Sequence, residues 1–564
     1  MNLYDTGRNS TGSVSDLMPA KAVYSASISS LTFPVLHQQG EKTMRKPLLL
    51  TALSIVMLAC LLPARAQVTQ ADVLFARLSA NTRRMAYEQS GSEMRLIAPL
   101  LAEADKNTMS DATKAYRAYT QALVMMGGTT WTPDAELTTA LDFAINTKVV
   151  GTGEPLQTRA VFLFDAPPAT NAPYRMELEI LRSDNSTEAF VPPGIVLGDV
   201  KTRRSGETIG LTFDPSKLVG PGLHVLRATL KNAQGNALYQ YYRSFFIIGD
   251  LNKRMAAVER AIELSADQQS VAATSARYLC ETIRQAHQTY LGGSFQNLIG
   301  YLHTGYRAIG LAVSELMDFE AALDQATTLS AAIKEGRNPL SESRGDLRLA
   351  YRSSFDGKLV PYRLYVPQNY DKSKSYPMIT LLHGAGGDEN NFFDGYQKLW
   401  PKTAEERGYI IVAVNGRGPV SGYAKANGAE QDVLDVTALV QKNYNIDPGR
   451  VYLAGHSMGS AGTWAIGLEY RDRFAALAPI AGTRMSPALE TALKTGRKIP
   501  IIIVAGAKDA LVPVAGCRDV AEKAKAMGYE VKYLEYPNGD HLSVVASSVK
   551  DIFDWFDAHR KAAP

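Results

Sequence analysis

Cysteine is nearly absent. Three stand in 564 residues, Cys60, Cys280 and Cys517, too few for a disulfide framework or a zinc cluster. Neither an HExxH run nor a paired CxxC occurs, so no structural metal is expected, and no motif calls for a cofactor. A dominant charge is also missing. The 60 Lys and Arg against 56 Asp and Glu leave a formal +4, which gives no nucleic-acid or membrane-surface signal. No repeat of solenoid or propeller period is visible. The apolar run from Leu48 to Leu62 is about 15 residues, short of the roughly 20 that cross a bilayer.

The composition that remains is globular, with 46% apolar and 21% charged residues. The length implies several domains rather than one core. Residues 1–43 are polar and irregular and read as an upstream over-extension, with Met44 as the expected start. Met44-Arg45-Lys46 opens a basic region, the run to Leu62 follows, and Ala64-Arg65-Ala66 resembles a cleavage site. That order predicts a signal peptide at 44–66 and a secreted or periplasmic protein. The alternatives are a signal anchor or a lipoprotein acylated at Cys60. Export leaves Cys280 and Cys517, expected to be free and buried, or else joined in one bridge.

Residues 67–149 have a helical pattern, broken at Ser90-Gly91-Ser92 and Gly127-Gly128. Period two then takes over: Met176, Leu178 and Ile180 alternate with polar neighbours, as do Ile209, Leu211 and Phe213, and Leu226, Ala228 and Leu230. Short strands separated by Pro, Gly and Asn predict a small β-sandwich of immunoglobulin-like type at 150–249. Asp250 stands where it can cap a helix carrying Leu251, Met255, Val258 and Ile262 on one face. The helical pattern fills 250–340, with a break at Gly292-Gly293, and the helices on either side of the sandwich could pack as one unit. From 341 to 564 strands come first and then alternate with helices, which predicts an α/β domain with a mostly parallel sheet covered on both faces.

The chemistry concentrates there. A β-prone run, Arg450-Val451-Tyr452-Leu453-Ala454, meets Gly455-His456-Ser457-Met458-Gly459, and a small, apolar helical stretch follows. Strand, sharp turn and helix are the context of a nucleophile elbow, with glycines where side chains would not fit. A serine needs a base, an orienting acid behind it and donors for an oxyanion. His541, in the loop Pro537-Asn538-Gly539-Asp540-His541, is the candidate base, and His559 reads as a solvated helix end. Asp509, just beyond the apolar strand Ile501-Ile502-Ile503-Val504, is the candidate acid; Asp540 competes but reads as a turn former. The expected oxyanion donors are the backbone N–H groups of Met458 and of Ala385, with Gly386 next. The Gly-rich stretch Gly384-Ala385-Gly386-Gly387 lacks the G-K-[ST] and GxGxxG spacings of phosphate cradles. His383 and His456 read as residues that shape loops. Phe392, Phe393, Tyr396, Trp400 and Trp464 either form an acyl or aryl pocket or serve as ordinary core.

Leu382-His383-Gly384-Ala385-Gly386-Gly387, Gly455-His456-Ser457-Met458-Gly459, Asp509 ahead of Val512-Pro513, and His541 resemble the α/β-hydrolase serine esterases. The nearest branch holds enzymes similar to polyhydroxybutyrate depolymerases and feruloyl esterases, beside prolyl-oligopeptidase-type catalytic domains. Tyr444-Asn445-Ile446-Asp447-Pro448 and Phe474-Ala475-Ala476-Leu477-Ala478-Pro479-Ile480 fit it too, over about 341–560, while Ser460 replaces a glycine common in relatives. The resemblance implies an exported hydrolase acting on small-molecule or polymer-borne esters, with a polysaccharide or polyester surface as a possible partner. The rivals are a serine peptidase at the same site and a surface binding protein with a secondary hydrolase domain.

Overall fold

A computed structural model describes residues 94–165, 174–182, 186–197, 208–288, 317–418, 420–509 and 511–561, with a few positions between 68 and 88. The expected over-extension and signal peptide, with Cys60, and the breaks at Ser90-Gly91-Ser92 and Gly292-Gly293, lie outside the described residues. The chain divides into two compact units, with described residues up to 247 in the first and those from 248 on in the second.

The first unit opens with helices Ala98–Asn107, Ala112–Met126 and Pro133–Ala140. Asp111 and Thr132 start the latter two, each side chain accepting a backbone N–H from the first turn. Strands β1 (Leu141–Ile145), β2 (Val149–Gly151), β3 (Leu156–Phe162), β4 (Tyr174–Leu181), β5 (Thr187–Leu197), β6 (Thr208–Phe213), β7 (Gly222–Lys231) and β8 (Ala237–Ile248) follow. They form a three-stranded sheet, β1-β3-β6, and a five-stranded one, β2-β8-β7-β4-β5. Met176, Leu178, Ile180, Leu226, Ala228 and Leu230 are buried, as period two requires, and both sheets share one apolar core with the helices. Strand structure begins at Leu141, inside the stretch expected to be helical. Leu141-Asp142-Phe143-Ala144-Ile145 is buried at every position, so it carries no alternation to announce a strand.

In the second unit the helices Leu251–Glu263, Val271–Gln288 and Phe319–Lys334 precede β9 (Gly345–Arg352), β10 (Leu359–Val366), β11 (Tyr376–Leu382), β12 (Ile410–Val414), β13 (Ile446–His456), β14 (Ala476–Ile480), β15 (Ile501–Gly506) and β16 (Val531–Tyr536). The sheet runs β16-β15-β14-β13-β11-β12-β10-β9. Pairings from β12 to β16 are parallel, and β9 and β10 are antiparallel. Ile379, Leu381, Tyr452, Ala454 and Ile502 meet Trp400, Phe553 and Phe556 of the helices Leu399–Arg407 and Val549–Ala558 on one face. On the other, Thr380 Oγ1 lies 3.0 Å from Thr437 Oγ1 of helix Ala429–Asn443. The parallel strands run so that the loops after β11, β13 and β15 open at one end of the sheet, where ligands gather in such folds.

Two expectations change here. Asp250 stands at the N-cap of Leu251–Glu263, but at φ 52 it makes no side-chain cap bond, so the helix is held by its buried face of Leu251, Met255, Val258 and Ile262. The helices of 250–340 also belong to the unit of the α/β sheet, while those before β1 belong to the first unit. The reason is the open edge of β9. Ser275 Oγ accepts the Ala350 N–H at 2.9 Å, Gln325 Oε1 accepts the Arg348 N–H at 3.2 Å, and Gln325 Nε2 donates to the Arg348 carbonyl at 2.8 Å. Side chains of two helices thus stand in for a missing strand and block edge pairing.

Ser275 is fully buried, so Ser275→Ala strands the Ala350 N–H and should lower stability by roughly 1–3 kcal/mol. Thermal unfolding checks this. A Tm equal to the parent's would show that the edge is not held in this way.

Candidate active site

Ser457 lies between β13 and helix Met458–Glu469 at φ 53 and ψ −112, a backbone state costly for a residue with a side chain. Glycines permit it. A Cβ on Gly455 would lie 2.2 Å from the Gly459 carbonyl oxygen, one on Gly459 2.0 Å from the Leu382 oxygen, and one on Gly482 2.2 Å from the Ser457 oxygen. The turn is closed by the Ser457 N–H donating to the Ile480 carbonyl at 2.8 Å.

Three residues far apart in the chain meet here. His541 Nε2 is 2.9 Å from Ser457 Oγ, and His541 Nδ1 is 2.8 Å from Asp509 Oδ2. A carboxylate only accepts, so Nδ1 carries the proton and Nε2 of the neutral ring accepts from the serine hydroxyl. Asp509 is fixed in turn: its Oδ1 accepts the N–H groups of Leu511 at 2.9 Å and Val512 at 2.8 Å. Asp540, the competitor, spends its carboxylate on the Leu542 and Ser543 N–H groups at 3.0 and 2.8 Å. It forms the turn that presents His541. His559 instead lies at the end of the last helix, 2.9 Å from Glu530.

A cavity of about 180 Å³ opens over Ser457 and His541, lined also by Gly384, Ala385, Asn391, Tyr396, His456, Leu511, Val512 and Leu542. Ala385 therefore sits at the site. Met458 is the first residue of its helix, where backbone N–H groups have no partner within the helix and aim outward. The loop carrying Ala385 packs tightly, since a Cβ on Gly384 would come within 2.8 Å of His456 Nδ1. It is anchored from below by Glu389, whose Oε2 accepts from Asn415 Nδ2 at 2.7 Å. Burial, helped by Asp388, pushes that carboxyl up to about 7. Arg363, from β10, grips Asp394 at 2.6 Å and covers the Phe393 ring at 4.8 Å.

Of the aromatic candidates, Tyr396 alone is among the cavity residues named above. Phe392, Phe393 and Trp400 are core, and Trp464 Nε1 donates to Thr483 Oγ1 at 2.9 Å. His383 stands between the carbonyls of Gly384 and Asn415, 2.8 Å from each, and shapes the loops. His456 does more than shape a loop, because its Nε2 lies 2.8 Å from the His541 carbonyl oxygen. Asn391, Leu511 and Leu542 were not singled out by sequence, and Val512 entered only through the motif after Asp509. The signal for Leu511 and Leu542 is their nearness to Asp509 and His541 in the chain.

Comparison with known proteins finds esterases over the α/β region. Residues 356–511 match the family model Esterase, described as "Putative esterase". The "Bifunctional acetylxylan esterase/xylanase XynS20E" of Neocallimastix patriciarum is 31% identical over 147 residues, 26% of this chain and 21% of that protein. "Probable feruloyl esterase C" of Aspergillus flavus is 29% identical over 192 residues, 32% of this chain and 68% of that protein. "Dipeptidyl-peptidase 5" of Aspergillus fumigatus is 32% identical over 149 residues, 24% of this chain and 20% of the peptidase. The chain thus spans about a fifth of the first and last of these relatives. The likeness to α/β-hydrolase serine esterases read from the motifs holds.

Asp509→Asn would leave the shape of the site but present His541 with the wrong tautomer, and should lower kcat on the order of 10⁴. Near-normal turnover would move the orienting role elsewhere. A second test uses His456, which burial, with His541 next, pulls down to about 3. As pH falls from about 6.5, the unfolded chain takes up a proton that the folded one refuses. The contribution of this group is therefore fully present above about pH 6.5 and lost progressively below it. His456→Gln should remove about one proton from the pH dependence of unfolding between about pH 6.5 and 4. An unchanged dependence would contradict a buried, neutral imidazole.

Proposed function

We propose that this chain is an exported serine hydrolase that cleaves carboxylic esters through an acyl-enzyme on Ser457. The observation that carries the reading is the hydrogen-bonded line from Ser457 Oγ to His541 to Asp509, at 2.9 and 2.8 Å, at the mouth of a cavity. His541 takes the hydroxyl proton as Oγ attacks the ester carbonyl. Asp509 holds the resulting imidazolium, and the oxyanion meets the N–H groups of Ala385 and Met458. The imidazolium then protonates the leaving alcohol. Water, activated by the same histidine, releases the acid and restores Ser457. Each oxyanion donor is worth roughly 10²–10³ in rate.

Export rests on the order of basic, apolar and small residues at 44–66. We read the two sheets of the first unit as an immunoglobulin-like accessory domain that holds a polysaccharide or polyester carrying the ester. The match to acetylxylan and feruloyl esterases supports plant-polymer esters as the substrate class. The match to a dipeptidyl-peptidase favours a second reading, a serine peptidase using the same residues.

One panel separates them: short to long p-nitrophenyl acyl esters, methyl ferulate, acetylated xylan and a prolyl-peptide anilide, each with the parent and Ser457→Ala. Ester turnover abolished by the substitution is expected. Cleavage of the anilide alone would make the protein a peptidase, and silence on every member would overturn the hydrolase reading.

A further inference from the structure

We propose that Tyr396 is a positioning residue for this site: through His456 it fixes the backbone carbonyl of His541 and so the placement of the base. The inference rests on the reading of His541 as the base that serves Ser457.

The protons can be assigned along the chain of contacts. His456 Nε2 faces the His541 carbonyl oxygen at 2.8 Å, and a carbonyl only accepts, so Nε2 carries the hydrogen. The neutral ring then has a bare lone pair on Nδ1, which lies 3.2 Å from Tyr396 Oη. The phenol must therefore donate to it. The line therefore runs Tyr396, His456, His541. Each ring is enclosed: Tyr396 is 8% and His456 3% exposed, with their centroids 5.9 Å apart and Phe392 5.4 Å from Tyr396 on another side.

The backbone is bent to place this phenol. Tyr396, Gln397 and Lys398 have φ of 50, 59 and 55, three successive left-handed residues and none of them glycine. Such a run persists only where its surroundings impose it. It begins at the residue whose hydroxyl reaches His456.

Loss of the hydroxyl leaves two outcomes for His456. Either Nδ1 stays buried and unpaired, or the proton moves to Nδ1 and the Nε2 lone pair confronts the carbonyl oxygen. Both loosen the hold on His541, whose ring must keep hydrogen-bond reach of Ser457.

The test compares the parent, Ser457→Ala, Tyr396→Phe, His456→Leu and His456→Gln. A fluorophosphonate titration counts reactive sites, and p-nitrophenyl acetate gives kcat and KM per titrated site. Tyr396→Phe should lower kcat per site about tenfold with KM within about twofold, and His456→Leu should lower it further. His456→Gln, whose amide can donate to the carbonyl and accept from the phenol, should recover part of that loss. Tyr396→Phe and His456→Leu both within about twofold of the parent per site would overturn the proposal. Should Tyr396→Phe fail to fold, the Leu and Gln variants decide: equal rates would overturn it, and recovery by Gln would uphold it. Retained turnover in Ser457→Ala would instead sink the underlying reading of the site.

Discussion

At Ser457 a strand must become a helix within one residue, and the peptide at φ 53 and ψ −112 is bearable only because of what surrounds it. Gly455, Gly459 and Gly482 leave no room for a Cβ. Gly384, in the loop after β11, is also tightly enclosed, since a Cβ there would come within 2.8 Å of His456 Nδ1. A hydroxyl raised on such a turn stands clear of the sheet, within reach of groups on other loops. The rest of the second unit fixes those loops. Asp509 and His541 each come from beyond the end of a parallel strand; Asp509 is held by backbone N–H groups, and His541 by the turn at Asp540 and the buried His456 ring.

Polar groups beneath the site are numerous for so buried a place. Arg363, Glu389, Asn390 and His456 are all nearly solvent-free, and unpaired they would cost several kcal/mol each. Their partners tie loops to strands: the His541 carbonyl for His456, Asn415 for Glu389, and Asp346, Asp394 and Asn390 for Arg363. Loop geometry is therefore specified by hydrogen bonds that cannot be broken cheaply, which is what a preorganised site requires. The helices of 250–340 extend this order to the far edge of the sheet. Ser275 and Gln325 satisfy β9 there, and β9 with β10 carries Arg348 and Arg363, which meet Asp394 behind the cavity.

Much of this was legible in the sequence, for stated reasons. The parallel strands are short, continuous apolar runs, and the elbow is a local motif whose glycines have a local cause. The order Ser457, Asp509, His541 follows chain direction through the later strands, so a linear reading reaches all three. What was hidden is non-local. Nothing in Leu141–Ile145 marks a strand, because burial on both faces erases alternation. The helices of 250–340 carry no mark of belonging to β9, since a Ser and a Gln reveal their partners only in three dimensions. His456 and Tyr396 are 60 positions apart, and no spacing rule joins them.

On this reading Ser457 carries the acyl group during turnover. Acid quench of the enzyme early in its reaction with p-nitrophenyl acetate, followed by peptide mass mapping, tests it directly. An acetyl adduct is expected on the peptide containing Ser457, at a stoichiometry that tracks the initial burst of p-nitrophenol. Turnover with no adduct, or an adduct on another residue, would contradict it.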